Sequence, residues 1–298
     1  MNKLKPLPEE WSGLLNNEQK EAIENINGPL LIIAGAGSGK TRVLTYRYAH
    51  LIKTYGINFE NVLAITFTNK AANEMKDRIS DLLNLELSPK WISTFHSLCV
   101  KMLRIHGHLI GFNNNFTIYD QSDSTKLVRN CMRDSDIDTK QYSPKRIQAH
   151  ISSLKNQRIL PGEAVEFAQS FFDVKVAEIY SSYQKKLMLA NSMDFDDLLI
   201  KAVELLETSD KSLNYWSSKF QYIMIDEYQD TNMVQYRLVE LLASKHKNIC
   251  VVGDSDQSIY AFRGADIRNI EEFESDFKDA KVISCLLYTS DAADESTG

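Results

Sequence analysis

Short apolar runs rich in β-branched residues recur along the chain and predict buried strands. They lie at 30–34, 62–67, 91–94, 222–226, 249–253 and 281–284. Near-continuous apolar runs of this kind are typical of a parallel sheet that is covered on both faces. Helical periodicity fills the stretches between the early runs, at 40–53, 69–83 and 95–106. This alternation of strands and helices predicts an α/β domain with right-handed crossovers.

The alternation stops between residues 110 and 190, where the sequence has helical periodicity and no clear strand run. The strand pattern resumes only at residue 222. We therefore predict one α/β domain, formed by 1–111 and 189–284, that is interrupted by a mainly helical insertion at 112–188.

The composition excludes several classes of protein. With 43% hydrophobic and 25% charged residues, the chain is of ordinary globular composition. No apolar run approaches the roughly 20 residues of a membrane span, and the amino-terminal residues lack the apolar core of a signal peptide. The four cysteines have neither metal-ligand nor redox spacing. We expect a cytoplasmic protein that has no membrane partner.

The net charge of −6 is not typical of a nucleic-acid-binding protein. Phosphate contact, however, needs only one local basic surface. One basic run contains no acid and consists of Lys140, Lys145, Arg146, His150, Lys155 and Arg158. Such a run is usually a solvated face, and phosphate contact is the alternative interpretation.

A glycine-rich segment with a lysine–threonine pair, AGAGSGKT (34–41), follows the first predicted strand. Glycines allow successive backbone N–H groups to turn toward a phosphate, and the amino terminus of the next helix adds its positive end. At this spacing Lys40 would reach the β- and γ-phosphates and Thr41 would ligate Mg²⁺. A glycine-rich turn without a ligand is the alternative. The predicted phosphate loop is Ala34, Gly35, Ala36, Gly37, Ser38, Gly39, Lys40 and Thr41.

Two adjacent acids end the fourth predicted strand, in MIDEYQDT (224–231). Asp226 is placed to hold Mg²⁺, and Glu227 suits a general base that polarises an attacking water. Solvated loop acids are the alternative for this segment taken alone. Together with the phosphate loop, the pair predicts hydrolysis of ATP with Mg²⁺.

Polar and aromatic residues also end the second and third predicted strands. Phe67, Thr68 and Asn69 follow one strand, and Thr94 and His96 lie at the end of the other. Ligands bind outside the carboxyl ends of parallel strands, where aromatic rings stack on bases and hydroxyls bond phosphate. Core packing of Phe67 and a structural role for His96 stay open.

Gln19 lies in LLNNEQKEAI (14–23), before the first predicted strand. Its amide matches the donor and acceptor edge of adenine. Taken alone, the segment is an ordinary amphipathic helix start with asparagine at the cap.

Seven segments now stand in a recognisable order and spacing. They are LLNNEQKEAI, AGAGSGKT, TFTNKAANEM, STFHSL, MDFDDLL, IDEYQDTN and GDSDQSIYAFRGA. Over residues 12–284 the chain resembles the UvrD/PcrA/Rep family of superfamily 1 DNA helicases. The resemblance implies a RecA-like P-loop NTPase domain with a helical insertion that contacts duplex DNA. It also implies an ATP-driven motor that moves 3′ to 5′ on single-stranded DNA and unwinds duplex.

The resemblance implies roles for particular residues. Gln19 would recognise adenine, Arg42 would lie near the nucleotide, and Gln257 would sense the γ-phosphate beside the catalytic Lys40, Asp226 and Glu227. The DNA-facing residues would be Phe67, Thr68, Asn69, Thr94, His96, Tyr260, Phe262 and Arg263. Phe262 stands where many relatives have tryptophan. The implied partners are single-stranded DNA, the junction with duplex DNA, and proteins of repair or replication.

The resemblance ends at residue 284, where the family continues with an Asn-Tyr-Arg-Ser segment. The chain instead has CLLYTSDAADESTG (285–298), which we expect to be foreign to the family and disordered. In the family, a second RecA-like domain supplies arginines, and such a group is worth about 10³–10⁵ in rate. We therefore expect this chain alone to bind ATP weakly and to hydrolyse it slowly.

Three other functions remain as alternatives. A nuclease-coupled helicase of the RecB/AddA type shares these segments, but usually with larger insertions. A non-catalytic DNA- or partner-binding module would be expected to have lost Lys40 or Glu227, and both are present. A P-loop kinase or small GTPase would leave QSIYAFRGA without a purpose.

Overall fold

The structure, a computed structural model, describes residues 4–35, 38–85, 89–254, 273 and 275–285. The described residues form two compact units. The sheet unit comprises the described parts of Met1–Thr94, Ser217–Thr231 and Ala243–Gly298, and the helical unit comprises Phe95–Trp216 and Asn232–Leu242.

The helical unit is larger than the insertion at 112–188 that the sequence predicts, because it also contains residues 95–111, 189–216 and 232–242. A compact unit and an inserted segment are defined differently. The domain division into 1–111, 112–188 and 189–284 therefore stays a prediction.

The strands, numbered along the chain, are β1 (Leu30–Ile33), β2 (Val62–Thr66), β3 (Ile92–Thr94), β4 (Thr117–Tyr119), β5 (Ser192–Asp194), β6 (Tyr222–Ile225), β7 (Ile249–Gly253) and β8 (Lys281–Ser284). The α-helices are α1 (Glu9–Ser12), α2 (Asn17–Glu24), α3 (Lys40–Lys53), α4 (Asn69–Leu83), α5 (Phe95–His106), α6 (Gln121–Asp134), α7 (Pro144–Asn156), α8 (Phe171–Leu189), α9 (Phe195–Thr208), α10 (Asp210–Lys219) and α11 (Met233–Ala243). Short 3₁₀ turns occupy Phe59–Asn61, Gly107–Ile110 and Tyr228–Asp230.

The sheet unit is built on a parallel sheet with the strand order β3-β2-β6-β7-β1-β8. Its pairs are all parallel, as in Leu30↔Cys250 between β1 and β7 and Val62↔Tyr222 between β2 and β6. The carboxyl ends of these strands therefore meet along one edge, which we call the carboxyl edge. The predicted α/β class is confirmed, and every predicted apolar run contains a strand of this sheet.

The prediction that no strand lies between residues 110 and 190 is wrong. In the helical unit β4 pairs with β5 in parallel, in the register Thr117↔Ser192. Each strand is three residues long and carries polar residues, as in Ser192-Met193-Asp194. Strands this short leave no apolar run that a sequence pattern can detect.

Each unit has its own apolar core. In the sheet unit, Ile32, Ala64 and Val252 from the strands pack with Tyr48 of α3. In the helical unit, residues of α6, α7 and α8 form the core, among them Val128, Ile151, Tyr180 and Leu187. The four cysteines are free and buried.

Among the described residues, no helix has both the length and the apolar character needed to cross a bilayer.

Candidate nucleotide and DNA site

The phosphate loop connects β1 to α3 at the carboxyl edge. Gly39 caps α3 with φ +86°, a backbone conformation that residues with a side chain rarely adopt. A Cβ at this position would also lie 3.1 Å from Nε2 of Gln19. The Ser38 hydroxyl donates a hydrogen bond of 2.7 Å to the Gly35 carbonyl. Ala36 and Gly37 lie outside the described residues.

Gln19 holds the phosphate loop from the side of α2. Its Nε2 donates to the Ser38 carbonyl at 3.0 Å, and its Oε1 accepts from the Asn16 backbone N–H at 3.2 Å. The Asn16 side chain accepts from the Gln19 N–H in return, which completes a capping box. Gln19 is therefore buried and bound to protein at both ends of its amide, and its reading of adenine stays a prediction.

Asp226 and Glu227 follow β6 at the same edge. Asp226 Oδ2 accepts from the Thr41 hydroxyl at 3.3 Å, and Oδ1 accepts from the Glu227 N–H at 3.0 Å. Burial and the charge of Glu227 raise the pKa of Asp226 to about 6. Glu227 has φ +49°, a strained backbone for a residue with a Cβ, and its side chain is 37% exposed.

The Thr41 hydroxyl and the Asp226 carboxylate fit Mg²⁺ as a donor set, because both are hard oxygen ligands. A divalent cation would also offset the repulsion between Asp226 and Glu227. Among the described residues there is no group of three or more His, Cys, Asp or Glu side chains that could hold a metal by itself. Mg²⁺ usually takes one or two protein ligands and completes its shell with phosphate and water.

Lys40 lies between two acids and closes a ring of contacts that we call the lysine–acid ring. Its Nζ is 2.9 Å from Asp254 Oδ2 and 3.6 Å from Glu227 Oε2. Gln229 completes the ring, because its Nε2 donates to Glu227 Oε2 at 2.7 Å and its Oε1 accepts from the Asp254 N–H at 3.0 Å. The structure thus brings together the ends of β6 and β7 and the start of α3.

Sequence reasoning assigned no role to Gln229 or Asp254. Both are buried polar residues inside segments that the sequence pattern singles out, 224–231 and 253–265. Asp254 directly follows β7, and Gln229 lies in the 3₁₀ turn after β6. A polar residue close after a buried apolar strand is the signal in the sequence that could have identified them, because a buried polar side chain needs a hydrogen-bond partner.

The residues predicted to face DNA from the sheet unit lie where β2 and β3 end. The register pairs Thr66 with Thr94, so Phe67, Thr68 and Asn69 follow one strand beside the end of the other. Phe67 is half-buried, Asn69 is exposed, and Thr94 is buried. The Thr68 hydroxyl accepts from the Ala71 N–H at 3.1 Å and so caps α4.

In the helical unit, His96 lies in the first turn of α5 with its ring centroid 5.3 Å from that of Phe195. Burial lowers the pKa of His96. Phe195 is 55% exposed at the start of α9. Phe195 lies in the segment MDFDDLL, but the sequence pattern predicts no role for it. Of the remaining predicted residues, Gln257, Tyr260, Phe262 and Arg263 lie outside the described residues.

The basic run at 140–158 does not form one face. The interpretation of the run as a solvated or phosphate-contacting surface is wrong for Lys155. The Lys155 side chain is 0% exposed, and its Nζ lies 2.7 Å from Asp194 Oδ2 and 2.7 Å from Asp197 Oδ1. Lys145 and Lys140 are exposed, as predicted. Lys145 shares a concave surface of α6 and α7 with Lys126 and Arg129.

The parallel sheet order, with the phosphate loop after β1 and acids after β6, defines a RecA-like P-loop NTPase fold. The model of the UvrD/REP helicase N-terminal domain family matches residues 15–278, and the chain belongs to this family. This confirms the resemblance drawn from the sequence segments.

The chain is similar to the ATP-dependent DNA helicase PcrA of Staphylococcus epidermidis and of Staphylococcus aureus. It is 50% identical to each over 269 residues, which cover 90% of this chain and 37% of the relative. The chain thus spans 37% of the length of these curated relatives.

Proposed function

We propose that this chain is the amino-terminal motor part of an ATP-dependent DNA helicase that moves 3′ to 5′ on single-stranded DNA. The observation that carries the proposal is the lysine–acid ring beside the Thr41–Asp226 pair, which places a cation, two hard oxygen donors and an accessible carboxylate together. Membership of the helicase family and the similarity to ATP-dependent DNA helicases support it.

In this proposal the phosphate loop binds the triphosphate of ATP. Lys40 contacts the β- and γ-phosphates, and Thr41 with Asp226 holds Mg²⁺, whose charge balances that of the phosphates. Arg42 lies one residue further along α3, with its guanidinium 5.6 Å from the Tyr46 ring centroid, and contacts the nucleotide. Gln19 holds the loop through the Ser38 carbonyl and also meets the adenine edge.

Glu227 acts as the general base in this proposal. Its carboxylate is accessible, and two neighbours, Gln229 and Lys40, fix the position of Oε2. A carboxylate so held accepts a proton from the water that attacks the γ-phosphate. Gln257, outside the described residues, senses that phosphate.

DNA binds each unit at its own surface in this proposal. In the sheet unit, the half-buried Phe67 and the exposed Asn69 face single-stranded DNA at the carboxyl edge, beside the buried Thr94. In the helical unit, Phe195 and His96 present aromatic rings to bases. The proposed DNA-facing set also includes Thr68, Tyr260, Phe262 and Arg263.

The surface of Lys126, Arg129 and Lys145 contacts the phosphates of duplex DNA at the junction. Protein partners in repair or replication, and a location in the cytoplasm where bacterial DNA lies, complete the proposal.

Nucleotide binding and single-turnover hydrolysis test the proposal. The purified chain should bind a fluorescent ATP analogue in the presence of Mg²⁺, and excess protein should convert ATP slowly, faster with single-stranded DNA. Glu227→Gln should keep analogue binding and reduce hydrolysis by about 10²–10⁴-fold, the usual contribution of a general base.

Glu240→Gln, which replaces a half-buried acid on α11 paired with Arg237, is the matched control and should leave both measurements unchanged. The proposal fails if the chain binds no nucleotide, or if Glu227→Gln hydrolyses ATP at the wild-type rate.

A further inference from the structure

Helix α9 begins with a capping box made by two acids. The Asp197 N–H donates to Asp194 Oδ1 at 2.8 Å, and the Asp194 N–H donates to Asp197 Oδ2 at 3.2 Å. The first helical residue, Phe195, lies between them in sequence and stays 55% exposed beside His96. The capping box therefore sets the direction in which an exposed aromatic ring leaves the helix.

Lys155, near the end of α7, binds both members of this capping box. Its Nζ lies 2.7 Å from each acid, and its side chain is fully buried. Tyr183 donates to Asp194 Oδ2 at 2.8 Å, and Gln184 donates to Asp197 Oδ1 at 2.9 Å. The carboxylates thus have partners from two helices in addition to each other.

Asn156, the last residue of α7, binds the remaining acid of this turn. Its Nδ2 donates to Asp196 Oδ1 at 3.2 Å, and its Oδ1 accepts from Nδ2 of Asn232 at 2.9 Å. The final two residues of α7 therefore hold every acid that surrounds Phe195 in the segment 194–197.

Stability alone is a weak reason for such an arrangement. A buried ion pair often contributes no more to stability than apolar residues of similar volume, because removing the charges from water is costly. What directional contacts of this kind provide is one fixed geometry. Here the fixed element is the turn that carries an aromatic ring into solvent.

We propose that Lys155 and Asn156 are positioning residues, which orient the first turn of α9 so that Phe195 can stack on a base of single-stranded DNA. The inference rests on the proposed function, because it assumes that Phe195 meets DNA. It gives the end of α7 a part in DNA binding without any contact of its own with DNA.

The first measurement needs no DNA. The imidazole protons of His96 lie in the ring current of Phe195, and NMR of the chain reports their chemical shifts, assigned with His96→Asn. Phe195→Ala should shift these signals. Asn156→Ala, and Lys155→Met combined with Asp197→Asn, should shift them in the same direction. Asn130→Ala and Lys186→Met, which remove an exposed amide and an exposed ion pair of the same unit, should leave them in place.

The second measurement is the affinity for fluorescein-labelled oligothymidine. Phe195→Ala should weaken binding by roughly tenfold, as expected for the loss of one stacked base. Asn156→Ala should weaken binding in the wild-type background and have no further effect in the Phe195→Ala background. This non-additivity distinguishes a residue that acts through Phe195 from one that contributes independently.

The outcomes separate the two proposals. Unshifted His96 signals in Asn156→Ala, or additive losses of affinity, would overturn the positioning role and leave the proposed function intact. Wild-type chain that binds nucleotide but gives no DNA affinity, or Phe195→Ala that binds as well as wild type, would remove the DNA contact and the positioning role with it. The Asn156→Ala variant keeps the test valid if the Lys155→Met combination does not fold.

Discussion

Each unit of this protein holds a lysine between two acids, and the two arrangements differ in how closed they are. Lys40 is 10% exposed, with one acid at 2.9 Å and the accessible Glu227 at 3.6 Å. Lys155 is 0% exposed, with both acids at 2.7 Å. Lys40 therefore has one distant, solvent-accessible partner, Glu227. Lys155 has no such partner, because both of its acids are close and buried.

This difference separates a binding lysine from a positioning lysine. Lys40 can exchange its contact with Glu227 for a phosphate at small cost, because Glu227 is partly exposed and that contact is long, while the contact with the buried Asp254 is kept. Lys155 cannot leave its acids without leaving two carboxylates unpaired in the low-dielectric interior, which is costly. A lysine between two acids can thus exchange a partner in the sheet unit, whereas in the helical unit it fixes the geometry of the acids.

The largest expected effect is on stability. Lys155→Met should lower the free energy of unfolding by about 3–5 kcal/mol, the usual cost of leaving a buried charge without its partner. Urea denaturation followed by circular dichroism measures it. Lys186→Met, which breaks an exposed pair with Asp134, should cost less than about 1 kcal/mol. Equal losses in the two variants would contradict the contrast between buried and open lysines.

Lys40→Met should produce the reverse pattern. Affinity for a fluorescent ATP analogue should fall by about 10–100-fold, because a charge-assisted hydrogen bond contributes roughly 1.5–3 kcal/mol. The loss of stability should be smaller than in Lys155→Met, since only one of the two acids beside Lys40, Asp254, is buried, whereas both acids beside Lys155 are buried. Nucleotide affinity that survives Lys40→Met would remove the exchange role from this lysine.

The pH dependence of stability sharpens the comparison further. Burial raises the pKa of Asp197 to about 6, above the value of about 3.9 in an unfolded chain. The folded state therefore keeps the proton longer, and its contribution is complete below pH 4 and lost as the pH rises through 6. Asp197→Asn cannot ionise, so the difference in unfolding free energy between it and wild type should change by on the order of 2 kcal/mol over this window.

Urea titrations at several pH values between 4 and 7 check this prediction. Asp226, whose pKa is also about 6, contributes a slope of its own, which is present in both proteins and cancels in the difference. Parallel curves for wild type and Asp197→Asn would show that Lys155 already neutralises the pair in full.

Gln229→Leu tests whether the lysine–acid ring positions the base. It removes the hydrogen bonds to Glu227 and from the Asp254 N–H while it keeps the volume. Single-turnover hydrolysis should fall by about tenfold, since a small misplacement of a reacting group costs at least that much. Nucleotide affinity should stay unchanged. A parallel loss of affinity would point to a collapsed site instead.

The smallest expected effect concerns the basic run. Lys145→Ala should reduce the salt dependence of duplex binding by about one unit of log–log slope, as for the loss of one phosphate contact. Anisotropy titrations at several salt concentrations measure it. Lys245→Ala, an exposed lysine of the sheet unit, is the control. A slope that is the same in Lys145→Ala and wild type would remove this surface from the DNA path.

Local patterns predicted most of the fold, because buried parallel strands are apolar along their whole length. The helices α3, α4 and α5 begin and end where periodicity placed them. The short strands β4 and β5 were not predicted, because three residues are too few to show a periodic pattern. In the nucleotide site Lys40, Thr41, Asp226 and Glu227 could be identified, since each occupies a fixed offset from a glycine loop or a strand end.

Lys155 shows what local patterns cannot supply. Its acid partners lie far along the chain, in another helix, so charge alone marked it as a surface residue. One indication was present: Lys155 follows Ile147 and Ile151 at intervals of four, on the buried face of α7. Phe195 is the opposite case. Its exposure was not predicted, because an aromatic residue at a helix start usually packs inward.

The strand order has a consequence for how the protein is made. Strand β1 pairs with β7 and β8, and β2 pairs with β6, so the first strands to leave the ribosome wait for the last. Contacts within α6, α7 and α8 close much shorter loops and can form during that wait. During synthesis, therefore, the helical core should resist proteolysis well before the chain can retain a nucleotide.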